Sequence, residues 1–234
     1  MAKQDTLAAD GMIHSNGMKF PLDTALMSAK QRRLLRSGTY EEKEFNAVRA
    51  LARPDDVVIE LGAGMGYMST AVAVKRKVKA VHAYEANPRM IPYIEAVHRL
   101  NGVTCAVVTN AALGPQAGTV RYYIRQEFPD SSMTAEPEGE VSPVIAVEEV
   151  PMVDIAAEFR RIRPTFLICD IEGAEAELLP AADLSGLRCA VVELHPQWIG
   201  AKGVAAVFEA MTKAGLTFYP RTSIKKVATF RRDW

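Results

Sequence analysis

Residues 57–66 read VVIELGAGMG, and this run restricts the chain to an α/β architecture. Val57, Val58, Ile59 and Leu61 make a short β-branched strand of the kind buried in a parallel sheet. Gly62, Ala63, Gly64, Met65 and Gly66 then turn the chain, and an apolar helical stretch starts near Tyr67. Small residues at such a turn let backbone N–H groups come close to a ligand, and the helix N-terminus behind them favours negative charge. The next apolar run, VKAVHAYEA, contains Glu85 at its end, where a carboxylate can accept hydrogen bonds from two ribose hydroxyls. The unit is built for a nucleoside-bearing cofactor.

Glycine spacing narrows the choice of cofactor. A dinucleotide fingerprint, G-x-G-x-x-G, needs its third glycine at position 67, which is Tyr67. A phosphate-gripping loop needs Gly-Lys-Ser/Thr, and none follows. Gly62, Gly64 and Gly66 instead form G-x-G-x-G with Glu60 just before it. This is the motif of S-adenosylmethionine-dependent methyltransferases with a Rossmann-like fold, whose cofactor has no pyrophosphate.

The sequence has 234 residues, 28 Lys and Arg, 28 Asp and Glu, and a net charge of +0. No global field therefore points to nucleic acid or to an anionic membrane. Local basic clusters at Lys30 to Arg36, Arg160 to Arg163 and Arg231–Arg232 read as solvated helix faces and ends. No apolar run is long enough to span a bilayer and no signal-peptide core is found, so a cytoplasmic protein is expected. Cys105, Cys169 and Cys189 each lie in an apolar run and read as free thiols. No Cys/His cluster has zinc-ligand spacing.

Residues 1–53 are expected to form an N-terminal hairpin and helical appendage, and 54–234 the cofactor-binding domain. Asn16-Gly17 within Met12 to Leu22 signals a two-residue hairpin. Helices are predicted over Thr24 to Leu35 and Glu41 to Leu51. The core then alternates. A helix near Tyr67 to Lys75 leads to a strand at Ala80 to Tyr84, a helix from Asn87 to Leu100 and a strand at Thr104 to Thr109. Thr119 to Arg125 reads as an added strand, Phe128 to Ser142 as a polar loop, and Val144 to Val147 as a further short strand. Asp154 to Arg161, Ala174 to Leu179 and Val204 to Ala214 read as helices. Thr165 to Cys169 and Arg188 to Leu194 read as parallel strands. Leu216 to Pro220 and Lys226 to Phe230 form a terminal antiparallel pair. The expectation is a mostly parallel, doubly wound sheet of the class I methyltransferase type.

Ligands of open α/β sheets sit at the carboxyl ends of the strands. There the sequence sets the glycines, Glu85 with Ala86 and Asn87, Asn110, then Asp170 with Glu172, and His195 with Gln197. DIEGAE at 170–175, with ELGAGMGY at 60–67, YEANP at 84–88 and NAALG at 110–114, resembles the FkbM family of methyltransferases. GTYEEKE at 38–44 is similar to that family's lead-in. The resemblance implies methyl transfer from S-adenosylmethionine to a hydroxyl of a sugar, polyketide or other small metabolite; the charge balance and the lack of a long apolar run add the expectation of no nucleic acid and no membrane. The resemblance also brings Tyr40 to the cofactor's amino-acid end.

From chemistry, Glu85 should hold the ribose, with Ala86 beside it in the cofactor-binding set, and Asn110 the adenine edge, with Ala111 and Ala112 leaving room for the ring. Glu60, Gly62, Ala63, Gly64, Gly66 and Tyr67 should form the cofactor turn. Asp170 should lie near the cofactor's amino group or sulfonium. Methyl transfer is an in-line displacement in which alignment dominates and a general base helps a protic acceptor. His195 is the first candidate base because imidazole titrates near neutrality, with Asp170 and Glu172 as alternatives. Asp170, Glu172 and His195 could also gather a divalent metal, but no spacing demands one and no metal is expected. N-methylation of an amine or peptide, and a non-catalytic cofactor-binding module, remain alternatives. The sequence does not set the oligomeric state, a homodimer included.

Overall fold

The structure, a computed structural model, describes residues 11–136 and 140–233. The first ten residues of the expected appendage, and 137–139 of the expected polar loop, lie outside the described residues. Two strands, β1 (Met12–Ser15) and β2 (Met18–Pro21), pair antiparallel around Asn16-Gly17. Helix α1 (Ala29–Ser37) follows. It starts later than the predicted Thr24 because Ser28 and Gln31 form a reciprocal capping box. Gly38 ends it in the left-handed region. Helix α2 (Glu42–Leu51) leads to β3 (Val57–Leu61).

From there the chain runs through α3 (Tyr67–Ala71), β4 (Ala80–Glu85), α4 (Ile91–Leu100) and β5 (Ala106–Asn110). Residues Val72–Arg76 after α3 form a π-helical turn, closed by Lys77 in the left-handed region. Strands β6 (Ala112–Gly114), β7 (Gly118–Arg125) and β8 (Val144–Asp154) come next, then α5 (Ile155–Ile162), β9 (Phe166–Cys169) and α6 (Glu175–Ala181). Strand β10 (Cys189–Glu193), α7 (Pro196–Lys213), β11 (Thr217–Phe218) and β12 (Val227–Arg231) complete the chain.

The main sheet has the order β11-β12-β10-β9-β3-β4-β5. Strands β10, β9, β3, β4 and β5 are parallel, and β12 runs antiparallel to both β10 and β11. The period of two is written in the burial. Val58, Val81, Phe166 and Val191 join one core with Ile13, Phe20, Leu35 and Phe45 of the N-terminal segment. Ile59, Tyr84, Leu167 and Val192 join the opposite core with Phe159, Leu178, Val207 and Phe230. Both faces are covered, as a parallel sheet requires. The hairpin and α1 thus share one core with the sheet.

Two larger features also differ from the sequence expectation. Strand β8 runs on to Asp154, beyond the predicted Val147, and is the centre of a separate sheet, β6-β8-β7. Its EEVP stretch has no apolar alternation to read, because much of β8 faces solvent. Helix α7 begins at Pro196, eight residues before the predicted start, and breaks at Gly200 (φ 60°, ψ −176°).

Candidate cofactor and acceptor site

The glycine turn sits where β3 and β9 end side by side. Gly62 has φ +84°, and a Cβ there would lie 1.9 Å from the Asp170 carbonyl oxygen, so only glycine fits. Glu85 closes the turn from β4. Its Oε2 accepts the Gly64 N–H at 2.7 Å and its Oε1 accepts the Asn87 N–H at 2.7 Å. Burial pushes its carboxyl up to about 7 despite these bonds. Each carboxylate oxygen retains a lone pair for a hydroxyl donor. Asn110 Nδ2 donates to the carbonyls of Glu85 (2.9 Å) and Ala86 (3.1 Å), leaving its own carbonyl as an acceptor. Ala63 and Ala111 are buried beside this arrangement, and the Ala111 N–H bonds the Glu85 carbonyl at 3.1 Å.

Two predicted residues turn inward instead. Glu60 is 1% exposed and its Oε1 accepts the Ser69 N–H of α3, so it caps that helix from below. Tyr67 stacks on Phe20 at 5.3 Å, and its hydroxyl receives the Asn16 amide at 2.9 Å. It locks the hairpin to the core. Gly66, by contrast, forms the end of the turn, with φ +74°. Tyr40 is buried against the Tyr67 ring at 5.3 Å. Burial, and then the Glu41 carboxyl beside it, push its phenol well above the usual range.

The other half of the rim comes from β9 and β10. Glu172 (φ +48°) and Gly173 (φ +99°) fold the chain back after β9, and Glu175 opens α6. The fully buried Glu175 accepts the Gly173 N–H on Oε2 and the His195 N–H on Oε1, each at 2.8 Å. The same Oε1 is 3.4 Å from His195 Nδ1. His195, 3% exposed, stacks on Trp198. Its Nε2 faces Glu172 Oε2 at 3.2 Å and Asp170 Oδ1 at 3.6 Å. Burial alone would lower the His195 pKa, but the carboxylates of Glu175, Glu172 and Glu193 raise it overall. His195 in turn holds Glu175 below the usual carboxylate range, against its burial.

Asp170 Oδ1 is buried and accepts no hydrogen bond among the described residues. Burial, and then the charges of Glu193, Glu172, Glu41 and Glu44, push this carboxyl well up. Glu41 is pushed up to about 8, first by burial, with Glu44 and Glu193 adding to it. This rim holds more acid than nearby base can balance, so it favours a cationic ligand. Asp170, Glu193 and His195 also bring one donor atom each within 4.8 Å of one another. Glu193 and Glu44, together with Phe128, were not singled out from sequence. Phe128 Cε2 lies 3.8 Å from where a Gly64 Cβ would stand. Glu193 could have been found as the last residue of its strand; Phe128 carries no motif. Ser131 and Ser132 serve their own loop, with Ser131 Oγ accepting the Arg125 N–H and Ser132 Oγ donating to the Thr134 carbonyl.

Residues 12–113 match the family model of the TRM5/TYW2 methyltransferase domain. No curated protein matches the sequence. Among solved structures, TYW2 of M. jannaschii in complex with AdoMet is 14% identical, with a TM-score of 0.50 over 95% of this chain and 86% of that one. A transferase of Pyrococcus horikoshii is 14% identical, TM-score 0.53, over 94% and 70%. The precorrin-6y C5,15-methyltransferase of Geobacter metallireducens is 12% identical, TM-score 0.50, over 91% and 93%. The chain has the class I methyltransferase fold, and its cofactor is S-adenosylmethionine. The residues fit this cofactor: close backbone approach at Gly62, hydroxyl acceptors on Glu85, and a donor-less buried carboxylate oxygen on Asp170 for a positive charge. The chain is an S-adenosylmethionine-dependent methyltransferase.

Two expectations are overturned. The match is to the TRM5/TYW2 model and not to the FkbM family. The glycine turn, Glu85 and Asn110 answer to the cofactor that many such families share, so they do not discriminate between them. The small-molecule acceptor, with nucleic acid excluded, fails with it, because the TRM5/TYW2 family acts on tRNA. The zero net charge sums an acidic rim with basic runs elsewhere in the chain, so it does not exclude a nucleic-acid partner. No helix among the described residues is long and apolar enough to cross a membrane.

Proposed function

We propose that this methyltransferase modifies a base in structured RNA of the tRNA type. The observation that carries the reading is the family match over 12–113, which takes in the N-terminal hairpin, the glycine turn, Glu85 and Asn110 together. When bound, S-adenosylmethionine supplies an activated methyl carbon. Glu85 and Asn110 bind its nucleoside, and Asp170 faces its positive charge. A base inserted at the rim meets no phosphate-repelling cost if only the neutral ring enters the acidic pocket.

His195 serves as the proton acceptor of the ring nitrogen, with Glu175 holding its backbone N–H at 2.8 Å and its Nε2 on the side of Glu172 and Asp170. Its raised pKa means that the free-base form grows as pH climbs above the ordinary histidine value, so turnover should rise on the mildly alkaline side. Asp170 and Glu172 shape the field around Nε2. The test is incubation with methyl-labelled S-adenosylmethionine and unfractionated tRNA, followed by nuclease digestion and mass spectrometry of the nucleosides. Label in one modified nucleoside, lost in His195→Ala with cofactor affinity retained, is the expected result. Protein that binds S-adenosylmethionine but labels no tRNA would overturn the acceptor assignment.

A further inference from the structure

We infer that the face formed by α1, the hairpin turn and the segment after α3 is the surface that grips the RNA backbone. The inference rests on the RNA reading above and assigns its contact surface. Between Asp23 and Glu41 the sequence contains Lys30, Arg32, Arg33 and Arg36 and no acid. Helix α1 buries Gln31 and Leu35 and leaves Lys30 and Arg33 exposed, three residues apart and so on adjoining turns of one side. The second basic run, KRKVK at 75–79, has Lys75, Lys77 and Lys79 exposed.

These runs lie 39 residues or more apart in sequence, and the hairpin turn joins them. Asn16 Nδ2 donates to the carbonyl of Gly38, the cap of α1, at 2.9 Å. The carbonyl of Gly17, its neighbour, accepts Lys75 Nζ at 3.4 Å. The turn is itself pinned to the core through the Asn16–Tyr67 hydrogen bond. The C-terminal end of α1 and Lys75, the first residue of the second run, are therefore held against one turn. Tyr40 and Glu41, at the acidic rim, lie two and three residues after Gly38, so the α1 end of this surface adjoins the site, while KRKVK leads away toward the amino end of β4, where the Lys79 N–H bonds the Asp56 carbonyl at 3.0 Å. An RNA strand held on the cations would have one nucleotide within reach of the rim. Charge separates the two tasks, with phosphates on the basic face and the neutral base with the cationic cofactor in the acidic pocket.

The test measures binding of fluorescein-labelled unfractionated tRNA by anisotropy over 50–250 mM KCl. It compares the wild type with Lys30→Gln/Arg33→Gln, Lys75→Gln/Lys77→Gln, and the control Lys202→Gln/Lys213→Gln on α7. All substituted side chains are exposed, and thermal melting and S-adenosylmethionine calorimetry check that each variant folds and keeps its cofactor site. Each basic-face pair should weaken tRNA binding about tenfold or more at low salt and reduce the log–log salt slope by about 1–2, since each phosphate contact contributes roughly 0.9 to that slope. The control pair should change neither. If wild type binds tRNA and the basic-face pairs match it in affinity and slope, the surface is wrong and the RNA reading stands. If wild type binds S-adenosylmethionine but no tRNA, the RNA reading itself fails and the surface falls with it.

Discussion

Asp56 and Asp170 sit at opposite ends of the same sheet and live in opposite chemistry. Asp56 precedes β3 at the amino end. Its two oxygens accept from the Arg53 N–H (2.6 Å), Thr165 Oγ1 (2.9 Å) and the Arg188 guanidinium (2.6 and 3.2 Å). Asp170 follows β9 at the carboxyl end. Its Oδ1 is buried with no donor, and its charged neighbours are acids and a histidine. One carboxylate is finished by the protein, and the other is left without a donor among the described residues. Burial alone does not mark a functional acid; an unbalanced set of partners does.

The largest test removes the partner at the finished end. Arg188→Leu strands Asp56, and unfolding in urea should show a loss of about 3–5 kcal/mol, the usual cost of unpairing a buried charge. Asp170→Asn at the other end should leave stability unchanged or slightly raised while abolishing turnover. Equal destabilisation by both variants would break the comparison, because it would mean that Asp170 is held by the fold as firmly as Asp56.

Next comes Glu85, whose carboxylate organises the glycine turn by accepting the Gly64 N–H. Glu85→Ala should weaken S-adenosylmethionine binding roughly 100-fold, about 2.7 kcal/mol, measured by calorimetry. Unaltered affinity would show that the carboxyl end does not depend on this acid.

The fold and the identity of the cofactor were legible because both are declared locally in sequence. A β-branched run, a glycine turn and an acid at the next strand end each declare their geometry within a few residues. The α1 start was misjudged only by missing the Ser28–Gln31 capping box. The motif contains Tyr67 and Glu60 and so points to both as cofactor residues. Their inward orientation depends on Phe20, Asn16 and Ser69, which the motif does not mention. The acidic rim was harder, since Glu41, Glu44, Asp170 and Glu193 come from three distant segments and meet only when the strands are in register. A sum over charges cancels the rim against basic runs elsewhere, and neither run by itself declares the hairpin turn's bonds to Gly38 and Lys75.

A pH experiment sharpens the contrast between the two ends. Glu60, 1% exposed at the carboxyl end of β3, is pushed up to about 8, chiefly by burial. An acid whose folded value is raised keeps its proton longer in the native state than in the unfolded chain. Its contribution to stability is therefore complete below about 4.5 and is lost as pH rises through about 8. The cofactor-free protein should lose stability between pH 5 and pH 9, and Glu60→Gln should flatten that decline by on the order of 2 kcal/mol in urea titrations. A parallel decline in the variant would assign the pH dependence to other acids of the rim.

The smallest effect tests how redundant the finished end is. Thr165 Oγ1 donates to Asp56 and accepts the Val57 N–H at 3.0 Å, so it ties the start of β9 to the start of β3. Thr165→Val keeps the shape and removes both bonds. Asp56 still has Arg188 and the Arg53 N–H, so the loss should be about 1 kcal/mol, well short of the Arg188→Leu effect. It should also leave S-adenosylmethionine affinity untouched, because β9 remains fixed to β3 by backbone pairing as far as Leu61 and Cys169. A change in cofactor affinity would mean that strain at the amino end reaches Asp170 along β9, and that the two ends of the sheet are energetically one unit.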